Sequence, residues 1–247
     1  MIDWYDKNQC HHGNESGHDR SNGRIFKLVY GDAKVTRIDL QKESNAKLVE
    51  YLGHKNEFYA RHARRILQER AASGEMKEAE AVYTALKSTL RNSESDVLQL
   101  RALWTLHLTG GLTEAVALPL LESSHEFVRA WTIQLLAENK KVSDAALKKF
   151  AAMAAKDPSP VARLYLASAL QRVEPARRWE TLAALLSHAD DAQDHNLPYL
   201  YWYAAEGAIA ADPARGVKLL TETKIPKVRQ FIARRITSTK ETVASGK

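Results

Sequence analysis

The 247-residue sequence predicts an all-α fold, a solenoid of about six helical hairpins that follows a short β-like segment and a polar loop. From residue 44 onward, apolar residues recur at the spacing of buried helix faces. Within that part, a hydrophobic residue closely followed by arginine returns at intervals typical of two-helix repeats. Before residue 44, glycines and polar residues separate short alternating segments. We therefore divide the chain into residues 1–43 and the repeat region 44–247.

The repeat region shows the faces, starts and breaks of helices. Leu147, Phe150 and Ala154 lie on one helix face, and Ser143 stands where the N-cap of that helix is expected. Pro119 is expected to kink or shorten its helix, because proline lacks the N–H that a helix interior needs. Acid–proline pairs indicate two further helix starts, Asp157-Pro158 and Asp212-Pro213.

The repeat is visible in the second helix of each hairpin, which opens with a hydrophobic residue and an arginine. The matching stretches are Tyr59-Ala60-Arg61, Leu100-Arg101, Val128-Arg129, Val161-Ala162-Arg163 and Val228-Arg229. The last interval is long enough for two repeats, with the intervening one centred near Tyr199–Trp202. This pattern resembles the HEAT repeat, whose second helix often has such an arginine. We expect these arginines to bind loop carbonyls or acids of the next repeat, with contact to a ligand as the alternative.

Two β-like segments precede the repeats, Ile2–Tyr5 and Arg24–Tyr30, and the second ends at Gly31. The polar loop Lys7–Gly23 lies between them. Two or three strands do not form a stable sheet alone, so this region is expected to dock on the helices or to belong to a larger sheet. The chain begins at Met1 without the basic and apolar stretches of a signal peptide, a start expected of an excised fragment.

The net charge of +6 and the pI near 9.3 favour acidic partners. The basic residues do not form the concentrated footprint of a nucleic-acid-binding protein, so we interpret them as solvated helix faces and disfavour nucleic acid. The alternative is a nucleic-acid-binding HEAT-like protein similar to the alkylpurine DNA glycosylases, with Glu206 beside Trp202 as the candidate acid. The basic groups behind this alternative are Arg61, Arg64, Arg65, Arg70, Lys224, Lys227, Arg229, Arg234 and Arg235.

The N-terminal loop contains the residues best suited to bind a metal, Cys10, His11, His12 and His18. Three of them are consecutive, and adjacent side chains seldom converge on one ion, so we favour a structural loop without metal. The single cysteine excludes a CxxCH haem attachment site in this chain. The sequence has no phosphate-binding glycine loop, GxSxG or HExxH motif, so we predict that the chain is not an enzyme.

Residues 194–206 form the densest aromatic segment of the chain. We expect its rings to fill the core between repeats, with Asp194 or Asn196 capping a helix, and contact with a partner is the alternative. The residues proposed for partner binding are Tyr199, Tyr201, Trp202, Arg61, Arg64, Arg65, Arg229, Arg234 and Arg235. No apolar run reaches the roughly 20 residues that span a bilayer, so membrane insertion is not expected.

Several stretches of the sequence resemble the planctomycete-type multidomain membrane-bound dehydrogenases, which include haem-binding CxxCH proteins. DWYDK at residues 3–7, CHH at 10–12 and DRSNGRIFK at 19–27 resemble the end of their sugar-dehydrogenase-like β-propeller. The resemblance extends to their HEAT hairpins, which are similar to residues 54–70, 194–206 and 228–235.

The resemblance implies a non-catalytic HEAT spacer between a propeller and a haem-binding c-type cytochrome domain, in a protein that acts on sugars or related alcohols. It implies a periplasmic or extracytoplasmic location, and neighbouring domains or another protein as partners. Residues 1–31 would be the remnant of the last propeller blade. Most of the propeller and the CxxCH motif are missing from this sequence. Oxidation chemistry and a cofactor are therefore not expected in this chain.

Overall fold

Twelve α-helices fill most of the repeat region in the computed structural model, which describes residues 2–3, 24–32 and 37–244. The helices are α1 Asn45–Tyr51, α2 Glu57–Ala72, α3 Ala79–Asn92, α4 Asp96–Leu108, α5 Glu114–Leu120, α6 Glu126–Ala137, α7 Asp144–Lys156, α8 Pro160–Leu170, α9 Trp179–Leu185, α10 Leu197–Ala211, α11 Pro213–Glu222 and α12 Pro226–Ala244. Short 3-10 helices lie at Leu40–Lys42, Pro175–Arg177 and Ala189–Gln193. The predicted all-α fold is confirmed.

The helices pack as six consecutive pairs, and the second helices of the pairs form a continuous row. In that row α2 contacts α4, α4 contacts α6, α6 contacts α8, α8 contacts α10, and α10 contacts α12. Each pair buries its apolar face against the next pair, as in α-solenoids. One core cluster is centred on Leu67 and Leu103, and a second on Phe150 and Leu166, all fully buried. A fully buried leucine contributes about 1.5–3 kcal/mol by leaving water.

Local signals in the sequence place most of the helix starts. The hydroxyl of Ser143 accepts a 3.1 Å hydrogen bond from the backbone N–H of Ala146, so Ser143 caps α7 as predicted. Asp212 likewise caps α11, which begins at Pro213. Pro119 lies in the last turn of α5, which has only seven residues.

The helix start expected at Asp157-Pro158 lies two residues later. Helix α8 begins at Pro160, and its N-cap is Ser159, whose hydroxyl accepts from the backbone N–H groups of Val161 and Ala162. The Asp157 side chain instead accepts from the N–H of Ser159 at 2.9 Å and belongs to the turn between α7 and α8. In this turn, the carboxylate of Asp157 is placed to contact a neighbouring repeat.

The N-terminal unit, residues 1–39, contains one short antiparallel pair of strands among its described residues. Ile2–Asp3 pairs with Arg24–Ile25, and residues 26–30 have no regular structure. The strand predicted over Arg24–Tyr30 therefore forms only over its first two residues. No third strand is present in the described ranges to extend the pairing, and the Tyr30 side chain is fully exposed. Trp4, Tyr5 and the loop Lys7–Gly23 lie outside the described residues.

The helical unit begins at Leu40, four residues before the predicted boundary at Ser44. Leu40 is buried in the first core cluster. The guanidinium of Arg70 holds the same segment, because it donates to the backbone carbonyls of Gln41 at 2.8 Å and Glu43 at 2.9 Å. These contacts make the segment before α1 part of the repeat stack. Across residues 24–32 and 37–244, no helix combines the length and the apolar composition needed to cross a membrane.

Candidate interaction surface

Two repeat arginines tie successive hairpins together. Arg129, the fourth residue of α6, donates to the carbonyl of Ser123 in its own turn at 2.8 Å. It also donates to both carboxylate oxygens of Asp157 in the next turn, at 2.7 and 2.8 Å. Arg163, the fourth residue of α8, repeats this arrangement with the carbonyl of Asp157 and the carboxylate of Asp191. Bidentate pairs of this kind fix both the distance and the orientation of the groups they join.

We call the contacts from Arg129 to Asp157 and from Arg163 to Asp191 the ladder. Both of its carboxylates have perturbed pKa values. Burial by itself raises the pKa of Asp157, but the Arg129 hydrogen bonds and the N–H of Ser159 outweigh it and hold the pKa below its usual value. The pKa of Asp191 is also lowered, because Arg163 and the hydroxyl of Tyr201 bind its ionised form against the effect of burial. Both aspartates are therefore charged inside the stack at neutral pH.

The remaining repeat arginines differ in position. Arg101 lies two residues later in its helix and reaches back to the carbonyl of Leu52 at 2.7 Å and to the carboxylate of Glu57. The equivalent of Arg129 in α4 is Gln99, whose amide donates to the carbonyl of Ser93 at 2.6 Å. The expectation that repeat arginines bind loop carbonyls or acids of the next repeat is thus confirmed for Arg129 and Arg163, whereas Arg101 binds a carbonyl and an acid of the preceding repeat.

The first and last repeat arginines are exposed. Arg229 donates to the carbonyl of Thr223 in its own turn and has no carboxylate partner among the described residues. Arg61 pairs with Glu57 at 3.4 Å, one turn earlier in α2. Neither arginine ties two repeats together, so the ladder covers the middle of the stack.

Tyr201 lies in the core rather than on the surface. Its side chain is fully buried, and its hydroxyl donates to Asp191 at 2.5 Å. Burial and this bond to a carboxylate raise the pKa of Tyr201. The structure therefore confirms for Tyr201 the core packing expected of this segment and gives it a structural contact.

Three aromatic rings on successive second helices form a row with an arginine at one end. The Trp104 and Trp131 rings meet edge to face at 5.1 Å between centroids, and Trp131 and Tyr165 are 6.2 Å apart. The guanidinium of Arg64 lies over the Trp104 ring at 5.2 Å. All four side chains are partly buried. We call Arg64, Trp104, Trp131 and Tyr165 the ring row; it crosses α2, α4, α6 and α8.

A second aromatic group lies on α10 and α12. Trp202 contacts Phe231 at 5.5 Å between ring centroids, and Tyr199 contacts it at 6.3 Å. The amine of Lys227 lies 4.4 Å from the Tyr199 ring centroid and 3.2 Å from its hydroxyl. Tyr199 is 41% exposed, whereas Trp202 is partly buried. The N-cap residue of α10 is Asn196, whose side chain makes no capping bond, and the carboxylate of Asp194 instead accepts from the N–H groups of Asn196 and Leu197 at 2.8 Å.

The basic clusters noted in the sequence are interleaved with acids. Arg65 pairs with Glu69 at 2.7 Å on α2, and Arg235 pairs with Glu206 at 3.2 Å between α12 and α10. Arg234 is exposed on α12. Glu206, the candidate acid of the glycosylase-like alternative, is thus engaged by an arginine. These pairings do not favour that alternative.

Arg64 differs from the other arginines of α2. It makes no hydrogen bond or ion pair with any described residue, and its contact with Trp104 is a cation–π contact. Burial lowers the pKa of its guanidinium, and the carboxylate of Glu57 opposes this only in part. The ring NH of Trp104 is buried and also lacks a hydrogen-bond acceptor in the described part of the chain.

The predicted metal candidates Cys10, His11, His12 and His18 lie outside the described residues. Within the described ranges, no group of three or more histidine, cysteine, aspartate or glutamate side chains could hold a metal ion. Sequence reasoning missed the ring row. Its signal in the sequence is an aromatic residue two positions after a repeat arginine, as in Arg129-x-Trp131 and Arg163-x-Tyr165, or three positions after it, as with Trp104 after Arg101.

Comparison of the chain with protein-family models, with curated proteins and with solved structures gives no match. The resemblance to the dehydrogenase family and the HEAT identity of the repeats therefore remain predictions from the sequence. The fold and the contacts above are the observations on which a function can be proposed.

Proposed function

We propose that this chain is a non-catalytic scaffold that holds neighbouring domains or another protein in a fixed relation. The observation that supports this most is the ladder of bidentate contacts from Arg129 to Asp157 and from Arg163 to Asp191. Each contact joins one hairpin to the next at the same point of the repeat. A stack tied in this way resists bending between repeats, which is the property that a spacer needs.

We further propose that the repeats are of the HEAT type and that the chain is the spacer of a periplasmic propeller and cytochrome c dehydrogenase-like protein. The support is the sequence resemblance, together with an all-α stack of six pairs in which repeat arginines bind turns. Haem c would belong to the parent protein. The residues of this chain do not fit covalent haem, because it has one cysteine and no CxxCH motif.

The test is to assay the purified chain for dehydrogenase turnover on sugars and alcohols with an artificial electron acceptor. The scaffold proposal predicts no turnover above that of the heat-denatured sample. Turnover that follows the folded protein through size-exclusion chromatography would overturn it.

A further inference from the structure

A third copy of the ladder arrangement is present at Arg229, without its carboxylate. Arg129, Arg163 and Arg229 are each the fourth residue of their helix, and each donates to the backbone carbonyl six residues earlier. For the first two, an aspartate 28 residues later completes the contact with both of its carboxylate oxygens. No described residue supplies a carboxylate to Arg229, whose side chain is exposed.

The Arg229 guanidinium therefore has donors left for a further partner. It binds the carbonyl of Thr223 through Nη2, whereas Arg129 and Arg163 bind theirs through Nη1. Its Nε and Nη1 groups make no hydrogen bond with the described residues. Rotation of this exposed side chain presents its Nε–Nη2 edge, which is the edge that binds the aspartate in both contacts of the ladder. A carboxylate fits that edge through two parallel hydrogen bonds.

The hairpin of α11 and α12 concentrates positive charge. Residues 213–238 contain seven lysines and arginines and one acid, Glu222, an excess equal to the net charge of +6 of the whole chain. Glu222 pairs with Lys218, and Arg235 pairs with Glu206 of α10. We call the exposed cations that have no acidic partner in the described part of the chain, and that lie on α12 or in the turn before it, the basic face: Lys224, Lys227, Arg229 and Arg234.

The outer side of α12 is polar, unlike the same side of α6 in the middle of the stack. Gln230 and Thr237 are exposed and stand at the positions of Ala130 and Ala137, which are buried in α6. Together with Arg229 they lie on the half of α12 that is turned away from α10. An apolar hairpin would bury these polar groups without partners, so this side favours a partner that brings acceptors and negative charge.

We propose that the basic face docks an acidic element of a partner protein, with one aspartate of the partner bound by Arg229 in the way that the ladder binds its own aspartates. This proposal deepens the scaffold function and rests on it, because it names the surface by which the stack holds a partner. Asp157 and Asp191 both lie in the turn before the second helix of a hairpin. We therefore expect the aspartate of the partner to lie in a turn as well.

A carboxylate suits this face better than a phosphate backbone does. Nucleic-acid affinity grows with the number of phosphates that free lysines and arginines neutralise. Three of the seven cations of the hairpin are held by a ring or an acid, namely Arg215, Lys218 and Arg235. In addition, an arginine at the position of Arg229 binds an aspartate in two other hairpins of the same chain.

The test measures fluorescence anisotropy of a short labelled peptide that repeats the triplet Asp-Pro-Ser, the order found in the turn at Asp157. The same peptide with asparagine in place of aspartate and a labelled oligothymidylate are measured in parallel at low salt. We expect the aspartate peptide to bind most tightly of the three. Added salt should weaken its binding, because contacts between exposed charges are screened.

Arg229→Gln should weaken binding of the aspartate peptide about tenfold or more, because charge-assisted hydrogen bonds to the carboxylate are lost. Arg215→Gln is the matched control, since it removes the same charge from the same hairpin, at a guanidinium that lies over the Trp179 ring at 4.7 Å. It should change the affinity by less than about twofold. Arg229→Lys keeps the charge without the paired edge, so it should also weaken binding. Circular dichroism checks that each variant is folded.

Equal effects of Arg229→Gln and Arg215→Gln would overturn the proposal, because the peptide would then be bound by net charge alone. Equal affinity for the aspartate and asparagine peptides, tighter binding of the oligothymidylate, or no binding of the aspartate peptide to the folded chain would each overturn it as well. None of these outcomes affects the scaffold function, which is tested by turnover and by the rigidity of the stack.

Discussion

The guanidinium of Arg163 and the carboxylate of Asp191 face each other through two hydrogen bonds of 2.6 and 2.8 Å. Their side chains are only 8% and 5% exposed. Asp191 also receives the hydroxyl of Tyr201, which makes it the meeting point of α8, α10 and the 3-10 helix before α10. A buried charge with this many partners makes the junction between the fourth and fifth hairpins sensitive to loss of any one of them.

Asp191→Asn should lower the free energy of unfolding by about 3–5 kcal/mol, because it leaves the Arg163 charge buried without a counter-charge. Chemical denaturation followed by circular dichroism measures this loss. The control is Glu222→Gln, which removes the acid of an exposed pair with Lys218 at 3.8 Å. Its effect should stay within about 0.5 kcal/mol. Equal effects of the two substitutions would show that the ladder does not stabilise the stack.

Acid should weaken the ladder. The pKa values of Asp157 and Asp191 are lower in the folded chain than in the unfolded chain, so the folded state binds fewer protons as pH falls. Their stabilisation is present above the unfolded pKa of about 3.9 and is lost as pH falls through the lower folded value. Unfolding free energies measured from neutral pH downward should therefore fall more steeply for the wild type than for Asp157→Asn. Parallel stability curves for the wild type and Asp157→Asn would contradict the lowered pKa of Asp157 in the folded chain.

Gly111→Ala should destabilise the first core cluster. A Cβ at this position would stand 2.4 Å from Cδ1 of Tyr83, whose hydroxyl is anchored to the carbonyl of Thr109 at 2.6 Å. The ring cannot move away without losing that bond, so we expect a loss of about 1–3 kcal/mol in unfolding free energy. Gly53→Ala is the matched control, because its Cβ would meet other atoms only at 3.5 Å or more. It should be neutral or slightly stabilising in the same denaturation experiment.

Thr223→Val should be neutral or should raise the free energy of unfolding, by up to about 1 kcal/mol. Thr223 is fully buried, and its hydroxyl has no hydrogen-bond partner in the described part of the chain. Valine has the same shape without the polar atom, so the cost of burying an unpaired hydroxyl disappears. Differential scanning calorimetry would show an unchanged or higher melting temperature. A clear loss of stability would mean that the hydroxyl is bonded in solution.

Helices and their caps could be predicted because their signals are local. The N-cap role of Ser143 and the start of α11 at Pro213 follow from residues within one turn. The strand over Arg24–Tyr30 was predicted too long, because alternation of apolar residues indicates a strand only where a partner strand lies beside it. In this segment, Arg24 and Ile25 lie beside such a partner strand, Ile2–Asp3.

Contacts between repeats could be predicted in kind but not in detail. The repeat arginines were expected to bind acids or carbonyls, but nothing local shows that Arg129 selects Asp157, which stands 28 residues later. Tyr201 lies in an aromatic segment that was expected to fill the core, with partner contact as the alternative, and the packing of α10 on α8 shows that it is buried. Whether such a side chain is buried, and which residue it contacts, depends on its position around the helix and on how the neighbouring repeat packs.

The most direct test of the scaffold account is a distance distribution across the stack. Spin labels would be attached at Gln68→Cys on α2 and Thr237→Cys on α12, both exposed positions, in a Cys10→Ser background. The distance between the two labels would be measured by pulsed electron paramagnetic resonance. The account predicts one narrow distance peak, which broadens in the Asp157→Asn variant. A broad distribution in the otherwise unchanged chain would contradict it, because a stack that bends freely between repeats cannot hold its partners in a fixed relation.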